Sequence, residues 1–190
     1  MIRAQDELDV ELMRDLAEGN DLALNQLIEA WSQPIIAYLT RLTQNAATAQ
    51  DLAQETFVRV YRHRLEYRSS QKFSTWLFAI ATNLARNHAR WRGRHLETAL
   101  EQEISPEVTI TDKTAAPDEQ AIANERVGAV QKAIAELPQD LRDVLILSTW
   151  HDMSHAEIAR IRETSEKAIE LRLYRARKLL RDLLSDYLTP

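Results

Sequence analysis

Apolar residues recur every three or four positions along most of the chain, and no stretch keeps the two-residue rhythm of a half-buried strand. Leu8, Leu12 and Leu16, then Leu24, Leu27, Ile28 and Trp31, predict two amphipathic helices. Gly19-Asn20-Asp21 parts them, a helix stop followed by a capping residue. Pro34 lacks the amide hydrogen that a helix interior uses, so a break or kink is expected before Ile35, Ile36, Leu39 and Leu42. A third helix is expected near 47–65, with Ala53, Phe57, Val60, Tyr61 and Arg64 at core-facing spacing. A fourth is expected near 73–94, its buried stripe being Leu77, Ile80, Ala81, Leu84 and Trp91.

From about 97 to 122 the period is lost. Glu97–Ala121 holds Pro106, Pro117, several Ser and Thr, and isolated aliphatics, which reads as an acidic, mostly unstructured linker. Helical pattern returns at Ala123–Glu136 and again after Pro138, a position where a first-turn proline is tolerated. Ser154-His155-Ala156-Glu157 has the spacing of a capping box, and a last helix fills roughly Ser165–Tyr187. The expected fold is all-α: a helical domain at 1–96, a flexible acidic linker at 97–122, and a second small helical domain at 123–190.

Composition narrows the function. Three glycines in 190 residues leave little for phosphate-cradling loops. With no cysteine there is no thiolate metal site, which fits a cytoplasmic protein. No apolar run approaches the ~20 residues needed to span a bilayer, and the acidic N-terminus lacks the apolar core of a signal peptide, so no membrane insertion is expected. The net charge of −5 hides alternating blocks. Residues 1–29 hold eight acids against Arg3 and Arg14, while 59–94 hold nine Lys or Arg against Glu66 alone. Residues 97–125 are acidic again, and 160–181 carry eight Lys or Arg. Two separate basic elements are the footprint of a nucleic-acid partner.

Asp51, Gln54, Glu55, Val58 and Arg62 fall on the outer side of the third helix, either as a solvated face or as a docking surface. Along the fourth, Asn83, Arg86, Asn87, Arg90 and Arg94 form a second stripe, able to neutralise phosphates and hold unstacked bases. Trp76 and Trp91 flank it, read either as core or as stacking platforms. Ser154–Ile161, the turn Arg162-Glu163-Thr164 and the helix from Ser165 make a helix-turn-helix around Ala156, Ile158, Ala159, Ile169 and Leu173. Lys167, Glu170 and Arg175 are its candidate base readers; Arg172, Arg177, Lys178 and Arg181 suit phosphates or packing. His151 and His155, four apart, are not read as a metal site. No catalytic constellation and no cofactor site are expected.

Residues 15–95 resemble region 2 of the extracytoplasmic-function sigma factors, group 4 of the sigma-70 family. The resemblance rests on Asp51-Leu52-Ala53-Gln54-Glu55-Thr56-Phe57-Val58-Arg59-Val60-Tyr61 and on Phe73-Ser74-Thr75-Trp76-Leu77-Phe78-Ala79-Ile80-Ala81-Thr82-Asn83-Leu84-Ala85. Leu137-Pro138 through Leu147, Met153–Ala159 and Leu171–Arg177 are similar to that family's region 4. The resemblance implies a non-enzymatic, promoter-reading subunit of RNA polymerase. Asp51, Gln54, Glu55, Val58 and Arg62 would meet the clamp helices of the largest subunit, and the polymerase flap would be a further contact. Ser69, Ser70, Gln71 and Lys72 would capture a flipped −10 base beside Asn83, Arg86, Asn87 and Arg90. Ser165, Lys167, Glu170, Leu171, Arg172, Arg175 and Lys178 would face the −35 duplex. The acidic linker would thread the polymerase channel, and an anti-sigma factor would hold the protein inactive.

Two departures bear on specificity. Lys167-Ala168-Ile169-Glu170-Leu171 stands where many relatives have Gly-Thr-Val-Arg-Ser, so a different −35 sequence is expected, with Leu171 toward a thymine methyl. Arg162-Glu163 replaces a glycine-type turn. A stand-alone helix-turn-helix repressor would need a dimerisation seam, and no heptad repeat supplies one. A scaffold that binds only proteins fits poorly with two basic faces.

Overall fold

A computed structural model of the chain describes residues 2–99 and 119–185, with side chains at 5–95 and 127–185. All regular structure among these residues is helical. The N-terminal half holds α1 (Ile2–Ala17), α2 (Leu22–Thr43), α3 (Ala46–Arg62), a 3₁₀ turn at Arg64–Glu66 and α4 (Phe73–Ala99). The C-terminal half holds α5 (Glu119–Glu136), α6 (Gln139–Trp150), α7 (His155–Ile161) and α8 (Glu166–Leu183). Residues 100–118, most of the expected linker, lie outside the described residues.

Local chemistry sets the helix ends. Gly19 takes φ +98° just past α1, a conformation that costs glycine nothing. Asn45 caps α3 by accepting from the Thr48 amide at 2.8 Å. Ser154 and Glu157 form the reciprocal capping box of α7, and Ser165 caps α8 through the Ala168 amide at 3.3 Å. Pro34 does not end α2, which runs unbroken through it. Ala30, whose carbonyl loses its partner, is exposed to water, while Leu27, Ile35, Tyr38, Leu39 and Leu42 hold the other face in the core.

Polar pins locate the helices. The indole of Trp31 in α2 donates to the buried Asp9 carboxylate of α1 at 3.2 Å, and Gln5 donates to it at 2.8 Å. Thr82 of α4 donates to the Phe78 carbonyl at 2.6 Å, so its oxygen accepts from the Tyr38 hydroxyl of α2 at 2.8 Å, with both residues fully buried. In the C-terminal half, a buried ion pair joins Arg162, at the end of α7, to Asp143 of α6. One continuous apolar cluster runs through both halves.

Several expected core positions are not in the core, Leu8 at 45% exposure among them. Trp91 is 51% exposed and stacks on His95, ring centroids 4.1 Å apart. Among the α4 residues whose side chains are described, Ala85 is the last that is buried, and packing loosens beyond it. Tyr61 sits at the rim of α3 with the Arg64 guanidinium over its ring, and Arg64 itself belongs to the 3₁₀ turn. Trp76, by contrast, is half-buried against Tyr67 and Phe73.

Two predictions follow from this packing. Glu163, in the helix-turn-helix turn, has φ +49°, where a Cβ is strained by roughly 1 kcal/mol. Glu163→Gly should therefore raise stability by about 0.5–1 kcal/mol in denaturant unfolding; a loss of stability would contradict the strain. His151 packs against Phe78 and Tyr38, and burial, reinforced by Arg41, holds its imidazole down at about 4 against the opposing charge of Asp152. Unfolded imidazole titrates near about 6.5, so this group favours the folded chain above that pH and loses the advantage as pH falls toward 4. Asp143, raised to about 6 by burial despite Arg162, works in the opposite sense, its contribution declining as pH rises through that value. The stability difference between wild type and His151→Gln isolates the imidazole and should shrink below pH about 6.5. An NMR titration showing His151 at an ordinary pKa would contradict the packing.

Candidate nucleic-acid and polymerase interfaces

Three surfaces collect the residues singled out from the sequence. The first is a cleft of about 580 Å³ between α2 and α3. Gln54, Val58 and Arg62 line it, Val58 being 41% exposed. Its floor is Leu24, Ile28, Ile36, Ala53 and Phe57, with Tyr61 at the rim. Asp51 and Glu55 lie outside the cleft lining; Asp51 is exposed, and Glu55 pairs with Arg59 at 3.0 Å. The half-buried residues of α2 went unnoticed as site residues. Their signal is that Leu24, Ile28 and Ile36 extend the apolar stripe of α2 wider than one partner helix needs. An apolar floor with a polar rim can take one further helix.

The second surface runs along α4. The loop Ser69–Lys72 enters this helix and faces α1 across a shallow cleft of about 560 Å³ lined by Asp6, Glu7, Val10 and Glu11. The Tyr67 hydroxyl donates to the Gln71 carbonyl at 2.9 Å and fixes the loop. Ser69, Ser70 and Lys72 are exposed and Gln71 is half-buried. Asn83, Asn87 and Arg90 are exposed and Arg86 is half-buried, within electrostatic reach of Asp143. Arg90 donates to Asn87, so the two present one amide-guanidinium unit. Lys72 precedes α4, and at the helical rise Asn83 lies about 16 Å further along, so loop and stripe do not form one pocket. Lys72 is already occupied: its ammonium meets Glu157 of α7 at 3.1 Å and Asp6 at 3.6 Å. The Glu157 hydrogen bond, more than either charge, raises its pKa.

The third surface is α8. Lys167, Glu170, Leu171, Arg175 and Lys178 are exposed. Tyr174, 65% exposed, stands among them at i+3 from Leu171 and i+7 from Lys167, and was missed because aromatic residues at helical spacing usually pack inward. Arg172 does not share this face: it is half-buried, with Nη1 enclosed. Ser165 is engaged as the helix cap. His155 opens α7 on the surface, apart from the half-buried ring of His151, and among the described residues no His, Asp or Glu cluster has metal-binding geometry. No described helix is long and apolar enough to cross a membrane.

Comparison with known proteins matches both halves. Residues 27–95 fit the sigma-70 region 2 family, and residues 128–180 fit the sigma-70 region 4 family. The RNA polymerase sigma-H factor of Pseudomonas aeruginosa is 30% identical over 186 residues, 96% of each chain. The ECF RNA polymerase sigma factor SigW of Bacillus subtilis is 27% identical, covering 92% of this chain and 95% of its own. The sigma factor RpoE, solved in complex with the anti-sigma factor NepR from Bartonella quintana, shares the fold with a TM-score of 0.69 at 24% identity, over 85% of this chain and 96% of that one. With both family regions in order along the two helical halves, and a relative at 30% identity over nearly the whole length, this chain belongs to the extracytoplasmic-function sigma factors of the sigma-70 family.

Proposed function

We propose that this sigma factor binds core RNA polymerase through the cleft between α2 and α3, reads a −35 duplex with α8, and captures an opened −10 element along α4. The observation that carries the reading is the track on α4. Asn83, Arg86, Asn87 and Arg90 put amides and guanidinium groups on one side of a single helix. Guanidinium groups release counterions from phosphates, and amides can bond base edges, including those that an unpaired strand exposes. Flipping a base from the stack costs a few kcal/mol, which the Ser69–Lys72 loop and this track would offset, so recognition and strand opening become one event.

The apolar cleft suits the clamp helices of the largest polymerase subunit, with Gln54, Val58 and Arg62 at the contact and Asp51 and Glu55 flanking it. The C-terminal domain would rest on the flap while Lys167, Glu170, Leu171, Tyr174 and Arg175 enter the major groove. Domain boundaries at 1–96 and 123–190 would leave an acidic tether for the polymerase channel. The work is binding and strand capture in the cytoplasm, without covalent chemistry. An anti-sigma factor, the kind of partner seen with RpoE, would compete for the same exposed faces.

Adding the protein to sigma-free core polymerase over genomic fragments from its source should yield discrete start sites that share upstream motifs. Arg86→Ala with Arg90→Ala should lower promoter opening at least tenfold and leave core binding within about twofold, since neither residue lines the cleft. Normal opening with weakened core binding would overturn the assignment of α4.

A further inference from the structure

Three of the four tryptophans are accounted for by packing. Trp31 and Trp76 are half-buried against the N-terminal core, and Trp150 lies under the Arg41 guanidinium at 5.3 Å. Trp91 differs. About half of it is open to water, and its ring neighbours are two histidines, one helical turn away on either side. His95 Nδ1 donates to the Trp91 carbonyl at 2.9 Å, which holds that imidazole in place at 32° to the indole. His88 follows on the other side, its centroid 6.3 Å away at 33°. At spacing i, i+3 and i+7 the three rings make one strip, and every residue from Arg90 to His95 is exposed.

The charge around this strip has one sign, since Tyr67 to Leu96 contains no Asp or Glu. At about 100° per residue, Arg90 and Arg92 fall on the two flanks of Trp91. Burial, and then the Arg92 charge, hold His88 below the usual imidazole range, so its ring is largely neutral near pH 7. Aromatic faces set between guanidinium groups suit a polyanion that carries flat rings of its own. A duplex keeps its base faces inside the stack, whereas an opened strand offers them. Asn83 lies eight residues before Trp91, about 12 Å along the helix. That span is roughly three or four stacked nucleotides at about 3.4 Å each. We propose that Trp91 and His95 form a stacking platform for one unpaired base of the opened promoter strand, with Arg90 and Arg92 on its phosphates. The proposal rests on the assignment of α4 made above and adds a base-face contact beyond Asn83. Because every base has such a face, the platform adds affinity for open DNA without adding to the sequence read.

An abasic site removes a base face and leaves its phosphate, so it separates stacking from charge. The complex to measure contains core polymerase, the full chain and a single-stranded oligonucleotide with the −10 sequence of a promoter found from the protein's own transcripts. Abasic sites are placed one at a time along that strand. In wild type, one position should lose about tenfold in affinity, three or four nucleotides from the position that couples to Asn83→Ala. Trp91→Ala should lose about tenfold on the intact strand and nothing further when that position is abasic, while Trp91→Phe keeps most of the affinity. His95→Ala, which removes the stacked partner, should give a smaller loss at the same position. Circular dichroism confirms folding, which truncation of so exposed a side chain should leave intact. A Trp91→Ala complex that keeps the wild-type abasic profile would overturn the platform. So would weaker binding of that variant to core polymerase without DNA, which would mark the rings as a protein contact. If Asn83→Ala and Asn87→Ala keep their positional effects while Trp91→Ala has none, the platform alone falls. A positional effect of Trp91→Ala with none for the two asparagines would sink their assignment and support the platform. A wild-type complex with core that fails to hold the strand would overturn both.

Discussion

The hydrogen bond from Tyr38 to Thr82 sets the geometry on which the functional surfaces depend. It crosses between α2 and α4 in a place without water, where an unpaired hydroxyl would cost on the order of 1–3 kcal/mol. Because Thr82 is also tied to the Phe78 carbonyl, the bond fixes the rotation of α4 as well as its distance from α2. Rotation is what matters. With Phe78, Ala81, Thr82 and Ala85 turned inward, Asn83, Asn87 and Arg90 are left outside. The same seam presents the Phe78 and Tyr38 rings to His151, so the element that aims the polar stripe of α4 also contacts the C-terminal half.

Charge is partitioned along the chain to match. A protein with a net charge of −5 is repelled by DNA at long range, and its basic residues must act at contact distance. The acids of α1 face the Ser69–Lys72 loop, and Asp6 and Glu157 both neutralise Lys72. Asp143 lies near Arg86. Carboxylates thus stand beside two of the cations proposed to meet DNA, Lys72 and Arg86, which disfavours binding to duplex at random and leaves room for a specific site to displace them.

Most of the helices were legible from the sequence because their causes are local. Apolar spacing, the Ser154–Glu157 box, the Ser165 cap and the Gly19 stop all act within four residues of where they are written. What escaped depends on partners far along the chain. Trp91 has core spacing, but nothing in its own helix says where the packing helices end. Pro34 looked like a break, and tertiary burial on the opposite face carried the helix through. Lys72 read as free for DNA, and its pairing with a residue 85 positions later has no local trace. Tyr61 and Tyr174 share one difficulty: an aromatic at helical spacing signals core in either case, and only the packed neighbours show that it stands exposed.

The central claim is that α4 captures an opened −10 strand. Permanganate reactivity of thymines in complexes of core polymerase, this protein and a promoter obtained from its own transcripts tests it most directly. The account predicts reactive, unpaired thymines around −10 that appear only with the protein present and fade when Asn83, Asn87 and Arg90 are replaced by Ala. Thymines that remain paired in a complex already shown to contain core, protein and promoter would contradict it, as would opening that survives loss of all three side chains.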